Sequence, residues 1–254
     1  MSDSVNTILC LDAAGSTNAW AKQHLDRFGP VGAVYTTNQT AGRGRLGRSW
    51  AGAAGQALYY TAVLKTPLAQ PATLPLFASL AVADALRRRY GVDCRIKWPN
   101  DLLLNGKKIV GILCEGIPAE HAIICGIGIN LAQPQSYFDA AALPHATSLA
   151  VQGVGVDLAR DPGLLAQDLT DFGFDRGLYR YESEGFAACR AAYNAACVNL
   201  GRRVFYDCDG GSGSGLATDV DEEGRLVVQD DGGTRRIFTG EVSVRGIYGA
   251  LGPN

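Results

Sequence analysis

Gly42-Arg43-Gly44-Arg45-Leu46-Gly47-Arg48, followed after a short gap by Ala57–Lys65, is the stretch that decides the fold. Its glycines match the spacing G-x-G-x-x-G, but a dinucleotide-binding turn needs a strand before it and a helix directly after it. The next ordered segment, Ala57–Lys65, instead alternates like a strand and carries Tyr59, Tyr60 and Val63. The Rossmann reading fails. No Gly-Lys-Ser/Thr follows, so the segment is not a P-loop either. What remains is three glycines interleaved with three arginines. Glycine lets backbone approach a ligand closely, and each guanidinium offers a permanently charged planar fork suited to carboxylate or phosphate. The pattern fits a loop that closes over an anion; its plainer reading is a solvated basic loop.

Outward from the loop, strands and helices alternate up to about residue 130. Thr7–Asp12, Ala33–Asn38 and Ala57–Lys65 read as strands, and Ser16–Phe28 as a helix capped by Ser16 or Thr17. Leu74–Tyr90 has helical periodicity, with Arg87–Arg89 near its C-terminal end. Arg95–Trp98 and Leu102–Leu104 are short extended pieces. Asn105-Gly106, between Leu102–Leu104 and Ile109–Leu113, signals a type I′ hairpin, and His121–Leu131 reads as an apolar strand. Residues 157–200 read as helices, with Phe186, Arg190, Tyr193 and Cys197 at near-helical spacing. After about residue 200 the chain turns into short strands: Arg202–Cys208, Gly215–Asp219, Leu226–Gln229, Arg235–Thr239 and Glu241–Ile247. That is the pattern of a small five-strand barrel. The expected division is a main α+β domain over 1–199 and a barrel domain over 200–254.

Composition excludes several classes. The 254 residues carry 23 Lys plus Arg against 25 Asp plus Glu, a net charge of −2 that gives no global basic surface for DNA. No apolar run approaches the roughly 20 residues that span a bilayer, and Met1–Ser4 does not begin a signal peptide. Seven cysteines without CxxC spacing argue against a disulfide framework or a zinc site. A cytoplasmic location is expected. Cys10, Cys114 and Cys125 read as core residues of apolar strands, and Cys189 and Cys197 as neighbours on one helical face. His24, His121 and His145 lack metal-ligand spacing.

Three further segments carry polar groups. Lys97-Trp98-Pro99-Asn100-Asp101 leads into the hairpin with Lys107 and Lys108, which point to opposite faces if the hairpin is regular. Pro99 argues against a central strand there, and Asn100 and Asp101 could serve only as turn residues. Gly126-Ile127-Gly128-Ile129-Asn130 ends a buried strand with an amide, and Ser16-Thr17-Asn18 reads first as a helix cap.

Together these segments resemble the biotin protein ligases: Ser16-Thr17-Asn18, Thr37–Trp50 (TNQTAGRGRLGRSW), Lys97–Gly111 (KWPNDLLLNGKKIVG), Gly126–Leu131 (GIGINL) and Gly240–Arg245 (GEVSVR). Order and spacing agree across nearly the whole chain, and the GRGRxGRxW and KWPND…K blocks are the specific ones. The resemblance implies a mixed or antiparallel sheet flanked by helices, with an SH3-like C-terminal barrel. It implies that biotin and ATP give biotinyl-5′-AMP and pyrophosphate, with Mg²⁺, and that a lysine of a biotin carboxyl carrier domain then takes the biotinyl group and releases AMP. By position, Lys108, Arg45 and Asp101 match the catalytic groups, with Asp101 also matching an acid proposed to hold Mg²⁺ or to activate the incoming amine. Ser16, Thr17 and Gln39 match the groups around the ureido ring, and Asn18, Arg43, Gly44, Arg45, Lys108 and Gly111 the rest of the biotin site. Arg43, Arg45, Trp50, Asn100, Lys108 and Asn130 match the nucleotide site. Some members carry an N-terminal helix-turn-helix and act as repressors. Here the first strand begins at about residue 7, so neither DNA binding nor repression is expected, and the protein is expected to be a monomer or homodimer. Lipoate and octanoate ligases and transferases share the fold but lack the two specific blocks. A catalytically dead biotin-binding or scaffolding module would have no need of Arg43, Arg45, Asp101 and Lys108 together.

Overall fold

The computed structural model describes residues 6–50, 52–208, 211–238 and 241–244. Gly240 and Arg245 of the GEVSVR block lie outside the described residues, as do Thr239, Ile247 and 245–254 of the expected barrel.

Twelve strands form two sheets among the described residues. The larger contains β1 (Thr7–Cys10), β2 (Val31–Thr36), β3 (Ala57–Leu64), β4 (Arg95–Lys97), β5 (Asp101–Leu104), β6 (Lys107–Ile117) and β7 (Ala122–Asn130), in the order β1-β2-β3-β7-β6-β5-β4. Only β1 and β2 run parallel, so the sheet is mixed. The smaller contains β8 (Arg203–Cys208), β9 (Gly211–Val220), β10 (Leu226–Asp230), β11 (Gly233–Ile237) and β12 (Glu241–Val244), antiparallel in the order β11-β10-β9-β8-β12.

Local signals account for much of this. Asn105 and Gly106 both have positive φ, 49° and 75°, as a type I′ turn demands, and they join β5 to β6. Helix α1 (Thr17–Gln23) starts at Ser16, whose Oγ accepts from the Ala19 amide at 3.4 Å. Helix α2 (Leu74–Tyr90) spans the predicted residues and ends on Gly91 at φ 67°. The short α3 (Gln135–Ala140) is not foreshadowed in the sequence reading. Helices α4 (Asp161–Asp168), α5 (Leu178–Glu184) and α6 (Arg190–Ala196) follow, with wide π-type turns over Leu169–Arg176.

The elements bury three apolar clusters. One face of the large sheet packs Leu58, Ile112, Cys125, Ile127 and Ile129 against α2, α4 and Phe174. Ala21 of helix α1 and Leu25, just after the helix, cover Val34, Val63 and Ile124 on the other face. The third cluster joins the β4–β5 hairpin to the small sheet: Ile96, Trp98 and Leu103 pack with Tyr193, Cys197, Val204, Ala217 and Val228.

Several expectations change. The helix predicted over Ser16–Phe28 stops at Gln23, where the His24 ring stacks on Trp20 and its Nδ1 lies 2.8 Å from the Trp20 carbonyl oxygen; a 3-10 turn, Leu25–Arg27, follows. Cys10, expected in the core, is exposed because β1 is the outermost strand. Cys189 and Cys197 flank α6 rather than share one of its faces, since Gly185–Ala188 forms a separate 3-10 turn. Among the described residues, no helix is long and apolar enough to cross a membrane.

Candidate active site

A cavity of about 750 Å³ opens on the sheet face that carries Gly111, Gly126, Gly128 and Asn130. It gathers the start of α1, Gln39, the arginine loop, the β4–β5 turn, Lys108, the 137–146 segment and Phe205–Asp207 of β8. All the residues singled out by the sequence line this one space: Ser16, Thr17, Asn18, Gln39, Arg43, Gly44, Arg45, Trp50, Asn100, Asp101, Lys108, Gly111 and Asn130.

The glycines make the floor. Gly111 on β6 pairs with Gly128 on β7, and the Trp50 indole lies on that pair. A Cβ at Gly111 would stand 2.4 Å from Trp50 Cζ3, and one at Gly128 2.6 Å from Cε2. No side chain fits there without displacing the indole. Gly126 does the same for Asn18, whose Oδ1 would lie 2.2 Å from a Cβ.

The arginine loop is a small hairpin around the turn Arg45–Gly47, closed by Gly44 N donating to Arg48 O at 2.7 Å and Trp50 N to Gly42 O at 2.9 Å. Arg43 and Arg48 are exposed, while Arg45 reaches inward and donates to Asn100 Oδ1 at 3.2 Å. Asn100 is held in turn, its Nδ2 donating to Ile112 O at 2.6 Å. Lys108 faces the cavity and Lys107 is not among its lining residues; the hairpin is not the regular one assumed, because a register shift at Leu102–Leu103 lets Lys108 and Gly111, three apart, face the same space. The Lys108 ammonium lies 2.6 Å from Asp101 Oδ1 and 5.2 Å from the centre of the Trp50 ring. Backbone bonds to the 145–147 segment, Lys108 N to His145 O and Thr147 N to Lys108 O, set its position.

At the other end the groups are amides and hydroxyls. Thr17 N donates to Gln39 Oε1 at 2.9 Å, and Thr61 Oγ1 lies 2.8 Å from Thr17 Oγ1 and 2.7 Å from Asn18 Oδ1. Asn130 is tied to the following loop, donating to Thr147 O and accepting from Gln133 Nε2. Two buried donors that line the cavity, Trp50 Nε1 and Tyr59 Oη, have no hydrogen-bond partner among the described residues. Burial pushes the Tyr59 hydroxyl well above its ordinary range, with the nearby Tyr137 adding to it, so it stays a donor at neutral pH. Buried donors such as these, in a cavity also lined by Arg43, Arg45, Arg48, Lys97 and Lys108, suit a ligand that brings acceptor oxygens.

Sequence reasoning missed Tyr59, Thr61, Glu115 and the Phe205–Asp207 edge. Only Glu115 left a signal, as a lone acid in the otherwise apolar run Ile109–Ile117.

Known proteins share this architecture. The profile described as "Biotin/lipoate A/B protein ligase family" matches residues 16–130, and "Biotin protein ligase C terminal domain" matches residues 200–245. The biotin–(acetyl-CoA-carboxylase) ligase of Paracoccus denitrificans is 36% identical over 236 residues, covering 89% of this chain and 96% of that protein. This chain belongs to the biotin protein ligase family. Another biotin protein ligase relative, the bifunctional ligase/repressor BirA of Bacillus subtilis, is 31% identical over 239 residues, covering 92% of this chain and 72% of that protein. The biotin protein ligase from Aquifex aeolicus in complex with biotin and ATP superposes with a TM-score of 0.76 at 26% identity, covering 94% of this chain and 98% of that one.

Proposed function

We propose that the cavity is where this family member couples biotin to ATP and then passes the biotinyl group to a lysine of a biotin carboxyl carrier domain. One observation carries the reading. Arg45 of the glycine loop meets Asn100, just before β5, and Asp101 and Lys108 of the β5–β6 hairpin in one cavity, with an array of amides and hydroxyls at its other end. Ser16, Thr17, Asn18 and Gln39 would bind the ureido ring, where each buried polar atom needs a partner. Arg43, Gly44, Arg45, Lys108 and Gly111 would surround the valeryl carboxylate, and Trp50, Asn100 and Asn130 the nucleotide.

In the first step a biotin carboxylate oxygen attacks the α-phosphorus and the bond to pyrophosphate breaks. Two anions must approach, and Lys108 and Arg45 stabilise the charge that gathers between them. In the second step the carrier amine attacks the acyl carbon, the acyl–phosphate bond breaks, and AMP leaves. Asp101 is then placed to take the amine's proton, since a ligand anion that draws Lys108 away frees its Oδ1. Among the described residues no three His, Cys, Asp or Glu side chains form a metal cluster. Asp101 alone suits Mg²⁺, which is commonly held by one or two carboxylates plus substrate phosphates. There it would neutralise phosphate charge.

We divide the chain into a catalytic unit, 1–199, and a C-terminal unit, 200–254; the change from helices to short strands at Arg203 supports the boundary. Seven thiols without a disulfide fit a reducing compartment, and we place the protein in the cytoplasm.

The deciding experiment mixes the purified chain with biotin, ATP and Mg²⁺ and follows pyrophosphate, then adds a carrier domain and follows its mass. Pyrophosphate release with biotin and not with lipoate, followed by a biotinyl mass gain on one carrier lysine, is expected. No biotin-dependent release overturns the reading.

Trypsin reports on the arginine loop. Residues 41–55 contain five glycines, so ordering them costs much conformational entropy, which an anionic ligand facing the arginines would offset. Cutting after the exposed Arg43 and Arg48 is expected to be rapid in the free protein and slow with biotin plus ATP. Equal rates would show that ligand does not order the loop.

A further inference from the structure

Behind the amide end of the cavity lies a carboxylate that does not itself line it. Glu115, on β6, accepts from Asn18 Nδ2 at 2.8 Å through one oxygen and from Lys22 Nζ at 2.6 Å through the other. Asn18 and Lys22 are four residues apart on α1, so one helix face grips one acid. Thr61, Gly126 and Leu113 form a row across β3, β7 and β6, and the Asn18 amide lies along that row. Gly126 leaves the room for it, Asn18 Nδ2 also donates to Leu113 O at 3.2 Å, and Asn18 Oδ1 meets Thr61 Oγ1 at 2.7 Å.

An ionised carboxylate can only accept, so the Asn18 nitrogen must face Glu115 and its oxygen must face Thr61. The rest follows along the chain of contacts. Thr61 has one hydroxyl proton, and the Asn18 oxygen can only accept it. Thr61 shares that proton with Thr17 Oγ1, 2.8 Å away, and Thr17 Oγ1 gives its own to Gln39 Oε1 at 3.3 Å. Gln39 Oε1 is held by the Thr17 amide, so Gln39 keeps its nitrogen for the cavity. Thr17 then presents lone pairs, and Gln39 presents N–H.

We propose that Glu115 is a positioning residue that sets the hydrogen directions of the Asn18–Thr61–Thr17–Gln39 chain and so selects a cyclic ureido group. The inference rests on the reading of this cavity as the biotin site. A ureido ring offers two N–H donors and one strong acceptor, the complement of a pocket with oriented lone pairs and an oriented N–H. The carboxylate is well suited to the task. Burial raises its proton affinity, but hydrogen bonds from Lys22 and Asn18 and the charges of Lys22 and Arg43 outweigh burial and hold it below its ordinary range. It stays ionised, and acceptor-only, at neutral pH.

Glu115→Gln tests this, because glutamine can donate and removes the charged acceptor that, with Leu113 O, holds the Asn18 nitrogen in place. The full chain is assayed for pyrophosphate release with biotin and with 2-iminobiotin, whose ureido oxygen is replaced by a nitrogen that can carry hydrogen. The variant is expected to raise KM for biotin about tenfold and to lower the preference for biotin over 2-iminobiotin about tenfold. kcat at saturating biotin and KM for ATP should stay within about twofold. Lys22→Met removes one group that holds the carboxylate ionised but keeps the acid itself, so at mildly alkaline pH it should leave the preference within about twofold of wild type. Thr61→Val breaks the chain at its middle and should lower the preference as Glu115→Gln does; it carries the test if the glutamine variant does not fold. An unchanged preference in the folded glutamine variant, or in Thr61→Val where that carries the test, overturns the inference, as does a loss of kcat with the preference intact. A wild-type chain that releases no pyrophosphate with biotin refutes the function itself, a result that cannot be confused with these.

Discussion

Replacing Lys108 with alanine lowers adenylate formation about a hundred- to a thousandfold and leaves the fold standing. Losing one oriented donor at a site of developing charge commonly costs 10²–10³ in rate. Lys108 is the cation nearest Asp101, and its ammonium sits over the Trp50 ring on the glycine floor. Its backbone bonds to His145 and Thr147 do not need the side chain, and the turn that places it depends on Asn105 and Gly106. The loss should therefore appear in single-turnover pyrophosphate release, with urea unfolding changed by less than about 1 kcal/mol, the range of a partly exposed ion pair. Transfer from supplied biotinyl-5′-AMP should suffer less, since that ligand arrives with its two halves already joined. Near-normal pyrophosphate release by Lys108→Ala would remove Lys108 from the mechanism. In the absence of ligand the ammonium is matched by Asp101, so it adds nothing to repulsion among the loop arginines.

The largest stability effect is expected at Trp98. Its side chain is 2% exposed, packs with residues of the β4–β5 hairpin and the small sheet, and donates from Nε1 to Gly224 O at 3.0 Å. Its backbone amide donates to Asn199 Oδ1 at 2.8 Å. Trp98→Ala opens a cavity in the cluster that joins the two sheets and leaves the Gly224 carbonyl without this donor. Such truncations cost about 3–5 kcal/mol. Urea unfolding followed by far-UV circular dichroism should show that loss, with the transition that reports the small sheet moving together with the main one. A loss under about 1 kcal/mol, or a small sheet that melts as before, would contradict a shared core. Because Asn100 and Asp101 follow Trp98 directly, activity in the surviving folded fraction should fall too.

The elements legible in the sequence are those with local causes. The failure of the Gly42–Gly47 match as a nucleotide turn rests on the next segment alternating with period two, and β3 is that segment. Helix α2 is set by its periodicity, and the β5–β6 turn by two residues that tolerate positive φ. Lys107 and Lys108 diverge because neighbouring strand residues point to opposite faces. Where a boundary depended on a distant partner, the reading slipped. Helix α1 ends early at the stack of His24 on Trp20, and Cys10 is exposed because pairing order makes β1 an edge.

The residue types of the site were visible one by one, as were the glycines that leave room for ligands. Which group occupies that room was not. Trp50 lies on Gly111 and Gly128, and Asn18 on Gly126, across separations of roughly 60 to 110 residues that no local period encodes. The Lys108–Asp101 pair forms within the β5–β6 hairpin, but the grip of α1 on Glu115 arises only when β6 is placed between β5 and β7 and α1 is laid across that surface. The sequence determined which segments become strands, helices and turns and which carry charge, because those depend on the backbone preferences of a few adjacent residues. The tertiary structure alone decided which charges neutralise one another and which way each amide faces, because those depend on distances of about 3 Å between groups that the chain keeps far apart.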